Sequence, residues 1–122
     1  PKGLAKPRPA TLLDVSVDRQ YIGQNTRRAT GAGATSKREG KLVIELTRDA
    51  KVTLTAERMV KGTASAVAGA SVAFDAKAGI RRVRITSRFG TAVLRRGLYR
   101  VTVSAPGPAG ETERQIEFFR VR

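Results

Sequence analysis

Apolar residues recur at every second position in six separate stretches of the chain. Leu13, Val15 and Val17 alternate with Asp14, Ser16 and Asp18. Leu42, Ile44 and Leu46 alternate with Val43, Glu45 and Thr47, and Val52, Leu54 and Ala56 alternate with Thr53, Thr55 and Glu57. Shorter copies follow at Val72/Phe74 and Val83/Ile85, and a long one at Tyr99, Val101, Val103 and Ala105. Period two places these side chains on one face only if the backbone is an extended strand. The rival helical stretch, 50–60, carries a Val-Thr-Leu-Thr run whose β-branched alternation favours a strand. The pattern predicts an all-β chain of about seven antiparallel strands, folded as one sandwich domain over 11–122.

The segments between strands are uneven. Residues 1–10 hold three prolines, Lys2, Lys6 and Arg8, and read as an extended arm. Residues 23–40 hold four glycines and read as a long loop, unusual in a compact domain. Arg48–Lys51 reads as the turn of a hairpin joining 41–47 to 52–57. Residues 62–69 read as a small-residue linker. In 115–121, Ile116/Phe118 and Phe119/Val121 are out of phase, which requires a bulge or a strand buried on both faces.

Composition removes whole classes of chemistry. The chain has no His and no Cys. A histidine general base, a Ser-His-Asp triad, a thiol nucleophile and a zinc knuckle are therefore unavailable. Thr30–Lys37 lacks the closing Gly-Lys-Ser/Thr of a phosphate loop. Asp14 and Asp18 lie about 13 Å apart along a strand, beyond the reach of a glycosidase pair. Glu111 and Glu113 read as solvated charges beside a turn. The chain is expected to be no enzyme and to carry no cofactor or metal. The charge-free stretch 62–74 is too short and polar to span a bilayer.

The run from Leu94 to Gly110, Leu94-Arg95-Arg96-Gly97-Leu98-Tyr99-Arg100-Val101-Thr102-Val103-Ser104-Ala105 followed by a Pro/Gly turn, resembles the L-x-x-G-x-Y-x-V-x-V-x-A…G signature of bacterial immunoglobulin-like and fibronectin-type domains. Leu46–Arg58 and Phe119-Arg120-Val121 fit the same pattern, so the resemblance spans about 41–122. It implies an immunoglobulin-like sandwich of the kind found in secreted and surface proteins of actinobacteria-like organisms. Gly97 and Tyr99 are then structural: the ring packs inside and the hydroxyl returns to a backbone group, as in a tyrosine corner.

Charge is the strongest remaining signal. The net charge is +14, with 17 Arg and 7 Lys. Basic residues outnumber acidic ones eight to three in 1–40, six to four in 41–77 and ten to three in 78–122. Arg82, Arg84, Arg88, Arg95, Arg96 and Arg100 are candidate anion contacts. Lys2, Lys6, Arg8, Leu13, Val15 and Val17 are candidate partner contacts, through arm and first-strand pairing with a neighbour. The leading expectation is a structural or assembly module of an extracellular or cell-surface protein, its export signal removed. Its partner would be protein, through self-association or a larger assembly, or an anionic polymer. The alternative is a basic, cytoplasmic protein on nucleic-acid phosphate, although no recognition helix or aromatic stacking platform is visible. A carbohydrate platform is disfavoured because the chain has no Trp.

Overall fold

The computed structural model describes residues 10–17, 21–22 and 40–122. Residues 1–9 of the predicted arm, including Lys2, Lys6 and Arg8, and nearly all of the predicted 23–40 loop lie outside the described residues. Among the described residues there are ten strands and no helix: β1 (Leu12–Val17), β2 (Tyr21–Ile22), β3 (Gly40–Leu46), β4 (Ala50–Val60), β5 (Thr63–Ala76), β6 (Gly79–Ile85), β7 (Arg88–Phe89), β8 (Ala92–Val93), β9 (Gly97–Pro106) and β10 (Thr112–Val121). They form a three-stranded sheet β1-β3-β6, a five-stranded sheet β2-β10-β9-β4-β5 and a small β7-β8 ribbon. All pairings are antiparallel except β2 on β10, which is parallel. No helix among the described residues is long and apolar enough to cross a membrane.

One core serves both large sheets. Leu42, Ile44 and Leu46 of β3 meet Val52, Leu54 and Ala56 of β4 and Tyr99, Val101, Val103 and Ala105 of β9, all buried. Val83 and Phe74 pack against this core half-buried. In β3, β4, β6 and β9 the alternation therefore assigns the inward faces correctly. Ile116 and Phe118 point outward while Phe119 and Val121 point in, and β10 keeps unbroken register with β9. The inward row of β10 therefore runs unbroken through Glu113, Gln115, Glu117, Phe119 and Val121, and the strand is neither bulged nor buried on both faces, because Ile116 and Phe118 lie exposed on its outer side.

Four expectations are corrected. The stretches 41–47 and 52–57 do not form a hairpin: β3 and β4 lie in different sheets, and their connection crosses the core. Alternation identifies the apolar side of a strand but not the neighbour that it bonds. Residues 62–69 are no linker: Lys61 and Gly62, with φ of 52° and 82°, make a two-residue turn that pairs Val60 with Thr63 and continues as β5. Both turn residues take positive φ, as a type I′ hairpin demands, and Gly62 does so without a steric penalty. In β1 the register slips between Leu12 and Asp14. Leu12 and Val15 are consequently buried while Leu13 is 50% exposed, so Leu13, Val15 and Val17 do not share a face. The strand count is ten rather than seven, because short segments at 21–22, 88–89 and 92–93 also pair.

Polar groups bind the two sheets where β1 crosses β10. The Thr11 and Leu12 amides donate to Glu113 Oε2 and Oε1 at 3.0 and 2.8 Å, and Gln115 Nε2 donates to the Leu12 carbonyl at 3.2 Å. Glu113 is therefore a cap for the start of β1, not a solvated charge. A second clamp closes the β8–β9 corner. Tyr99, buried, donates its hydroxyl to the Arg95 carbonyl at 2.8 Å and stacks on Phe119 with centroids 5.7 Å apart. Arg58, directly opposite Tyr99 in the sheet, donates to the Tyr99 hydroxyl at 3.3 Å and to the Arg96 carbonyl at 3.0 Å. Gly97 leaves room for that guanidinium, since a Cβ there would sit 3.1 Å from Arg58 Nη2.

Two outcomes test this packing. Leu54→Ala should cost roughly 2–5 kcal/mol, from lost burial plus the cavity left behind. Tyr99→Phe should cost about 1 kcal/mol or more, because Arg95's carbonyl loses its partner. Urea denaturation monitored by circular dichroism reads both.

Candidate partner-binding groove

The pair of large sheets is closed on one side and open on the other. On the closed side β1 lies against β10. On the open side β5 and β6 are the outer strands of their sheets among the described residues. Between them runs a groove of about 460 Å³, lined by Phe74, Asp75, Ala76 and Lys77 from one rim and Arg81, Arg82, Val83 and Arg84 from the other. Phe74 and Val83 are half-buried and form its apolar part. A smaller hollow of about 320 Å³ adjoins it along Asp75, Ala76 and Lys77.

Register explains the chemistry of the rim. Arg81 stands opposite Ile44 of β3, in the row that continues inward through Val83 and Ile85. At the sheet margin that row opens to water, so a guanidinium fits where a central strand would need an apolar side chain. Arg81 Nε donates to the Lys77 carbonyl at 3.1 Å. Arg82 and Arg84 take the alternate, outward row and are exposed. The turn between the strands is pinned by Asp49, whose Oδ1 accepts from the Ala78 amide at 2.8 Å. Lys77 Nζ lies 3.7 Å from the other Asp49 oxygen, an exposed contact worth little by itself.

The edge of β5 is bare over only part of its length. At Gly69 the carbonyl accepts from the Thr91 amide at 3.0 Å, so the β7–β8 turn covers the strand there. Gly90 makes this approach possible: a Cβ would lie 2.4 Å from the Gly69 oxygen and 2.7 Å from that of Ser71. Its φ of 63° also favours glycine. From Val72 to Ala76 no described strand covers the outer edge, and the Phe74–Ala76 end of this window lines the groove.

The other predicted residues scatter. Arg88 is exposed on β7, and Arg95 and Arg96 are exposed in the corner before β9. Arg100 lies on the outer face of the larger sheet, with Nη2 2.7 Å and Nε 3.1 Å from Glu57 Oε1, so an internal carboxylate already engages its charge. The arginine run 81–100 is thus divided among several surfaces, and only Arg82 and Arg84 of the predicted set border the groove. Val15 is 6% exposed in the chain's own core and has no side chain to offer a neighbour. Val17 is half-buried, while Leu13 faces out. Sequence reasoning passed over Phe74 and Lys77 as site residues and saw Arg81 only as one member of the arginine-rich run 81–100. Arg81 carried a signal: it is a charge in the apolar phase set by Val83 and Ile85.

No protein-family model matches the chain, and no curated protein matches it. Among solved structures it is similar to the PmoD soluble domain from Methylocystis sp. ATCC 49242 (Rockwell), at 17% identity over 88% of this chain and 89% of that one, with a TM-score of 0.47.

Gly90→Ala tests the covering of the β5 edge. The added Cβ clashes with two backbone oxygens and strains a left-handed residue. The expected cost is about 2 kcal/mol or more. Hydrogen exchange should also accelerate at the Thr91 amide, as the turn lifts from Gly69.

Proposed function

We propose that this domain is a non-enzymatic structural or assembly module of an extracellular or cell-surface protein, built as an immunoglobulin-like sandwich. The observation that carries this reading is the groove between two bare strand edges. Unpaired main-chain donors and acceptors beside half-buried Phe74 and Val83 suit strand addition, which needs no catalytic side chain. The tyrosine corner at Tyr99 supports the immunoglobulin-like assignment.

The N-terminal arm and first strand supply the contact with a neighbouring subunit in this reading. Asp14 and Glu45 support it. They stand directly opposite each other on the outer side of the β1–β3 pair. Two like charges so placed repel, and a cation laid across them relieves the repulsion. Lys2, Lys6 and Arg8 of a neighbouring arm have the right sign.

A second reading, binding to nucleic-acid phosphate or another anionic polymer, draws on Arg84 opposite Lys41 and on Arg82 in the same outward row. Polyanion binding through such residues would weaken steeply with salt. Strand pairing would not.

Sedimentation velocity on residues 1–122 and 11–122 separates these readings. Under the assembly reading the full chain self-associates at high concentration. The shortened chain associates less and stays folded, its urea midpoint lowered only slightly by loss of the bond from Thr47 Oγ1 to the Ala10 carbonyl, since the core lies beyond the arm. A full chain that stays strictly monomeric overturns assembly through the arm.

A further inference from the structure

We propose that the β5–β6 groove receives an extended acidic segment of a different protein, added as a strand along Val72–Ala76. This rests on the assembly reading and names the partner chemistry at one site.

Three observations converge on that occupant. The first is main chain. The edge of β5 is covered at Gly69 by Thr91 and uncovered from Val72 to Ala76, a window of about 13 Å at the usual strand rise. The second is an apolar seat. Phe74 and Val83 remain half-buried at the groove, so alternate side chains of an added strand would cover them. The third is sign. Arg81, Arg82, Arg84 and Lys77 line the groove with one carboxylate, Asp75, and a second, Asp49, lies 3.7 Å from Lys77, which leaves the lining basic. A strand with acidic side chains on one row and apolar ones on the other meets all three demands.

A second copy of this chain does not. Its arm carries three cations and no acid between residues 1 and 10, so it would be repelled by the rim. Its own acidic segment, 11–18, has two aspartates and no cation, but its strand β1 is already paired with β3. Insertion in trans would first unzip that pair and expose Leu12 and Val15. Each copy also carries a net charge of +14. Edge arginines commonly guard a bare strand against stray pairing. The same field that rejects neutral or basic strands admits an acidic one.

The test titrates isotope-labelled 1–122 with a short, end-blocked peptide alternating glutamate and valine, followed by nuclear magnetic resonance. The expected result is saturable shifts of the amides of Val72–Ala76 and Arg81–Arg84. A lysine–valine peptide should leave those amides still. An N-methylated glutamate–valine analogue keeps the charge but loses ladder donors, and should bind about tenfold weaker or worse. The double variant Arg82→Glu/Arg84→Glu should weaken the acidic peptide by about tenfold or more and gain affinity for the lysine–valine peptide. That gain keeps the test valid if the variant is merely less stable.

The proposal is overturned if the peptide does not bind, or if its shifts map elsewhere. Equal binding by the N-methylated analogue would overturn it too, by showing a charge patch without strand addition. So would equal displacement by oligothymidylate, which would assign the rim to nucleic acid. A chain that is monomeric yet takes the acidic peptide fails only the arm contact. A chain that self-associates but ignores the peptide fails only this inference.

Discussion

Burial of one apolar layer shared by two sheets is the constraint on which the rest of this structure depends. The layer holds few large side chains. Tyr99 and Phe119 are the bulkiest fully buried ones, and Val, Leu, Ile and Ala fill the remainder. A core of that make-up gains its stability only if the inward rows of β3, β4 and β9 meet closely. The chain achieves this by crossing from sheet to sheet on either side of the β4–β5 hairpin. β3 leads to β4 across the core, and β5 leads to β6 back again. Asp49, in the first crossing, holds the Ala78 amide of the second.

The two sides of that layer are finished by different physics. Where β1 meets β10, the inward row of β10 turns polar, and Glu113 and Gln115 bond the backbone of the opposite sheet directly. Charge-assisted bonds to backbone amides are among the stronger polar contacts available to a fold. At the far end of the same strands Arg58 plays a related part, tying the Tyr99 hydroxyl and the Arg96 carbonyl into one corner. On the β5–β6 side the carboxylate-to-amide bond lies at the end of the strands, from Asp49 to Ala78. The apolar row there ends in Arg81, and the edges face a groove. The asymmetry concentrates bare backbone, a half-buried aromatic ring and positive charge at one place.

The large positive charge of the chain is less concentrated than its sequence suggests. Arg58 serves the corner, and Arg100 is held by Glu57. Arg95 contributes its carbonyl to the tyrosine corner. The local field at the groove comes from a smaller group on β6 and the turn before it. Such a field acts on the encounter and selection of a partner more than on the fold itself.

Alternation alone determined that this chain is β-structured, and it determined the inward faces at Leu42/Ile44/Leu46, Val52/Leu54/Ala56, Val83/Ile85 and Tyr99/Val101/Val103. The reason is geometric: the side-chain period of a strand is two whatever its neighbours are. The return of the Tyr99 hydroxyl to the Arg95 carbonyl is what the resemblance carried by Leu94–Gly110 implied, while the second bond to that hydroxyl, from Arg58, came only with the sheet pairing. Only the tertiary structure decided which strands bond, since hydrogen-bonding partners leave no periodic trace in a sequence. It therefore decided that β3 and β4 part company and that 62–69 is strand. It set Leu13 outward through a bulge and turned Glu113 into a cap. The groove was illegible for the same reason. Phe74 and Arg81 lie seven positions apart on strands of different sheets, and only the packing of those sheets makes them two walls of one site.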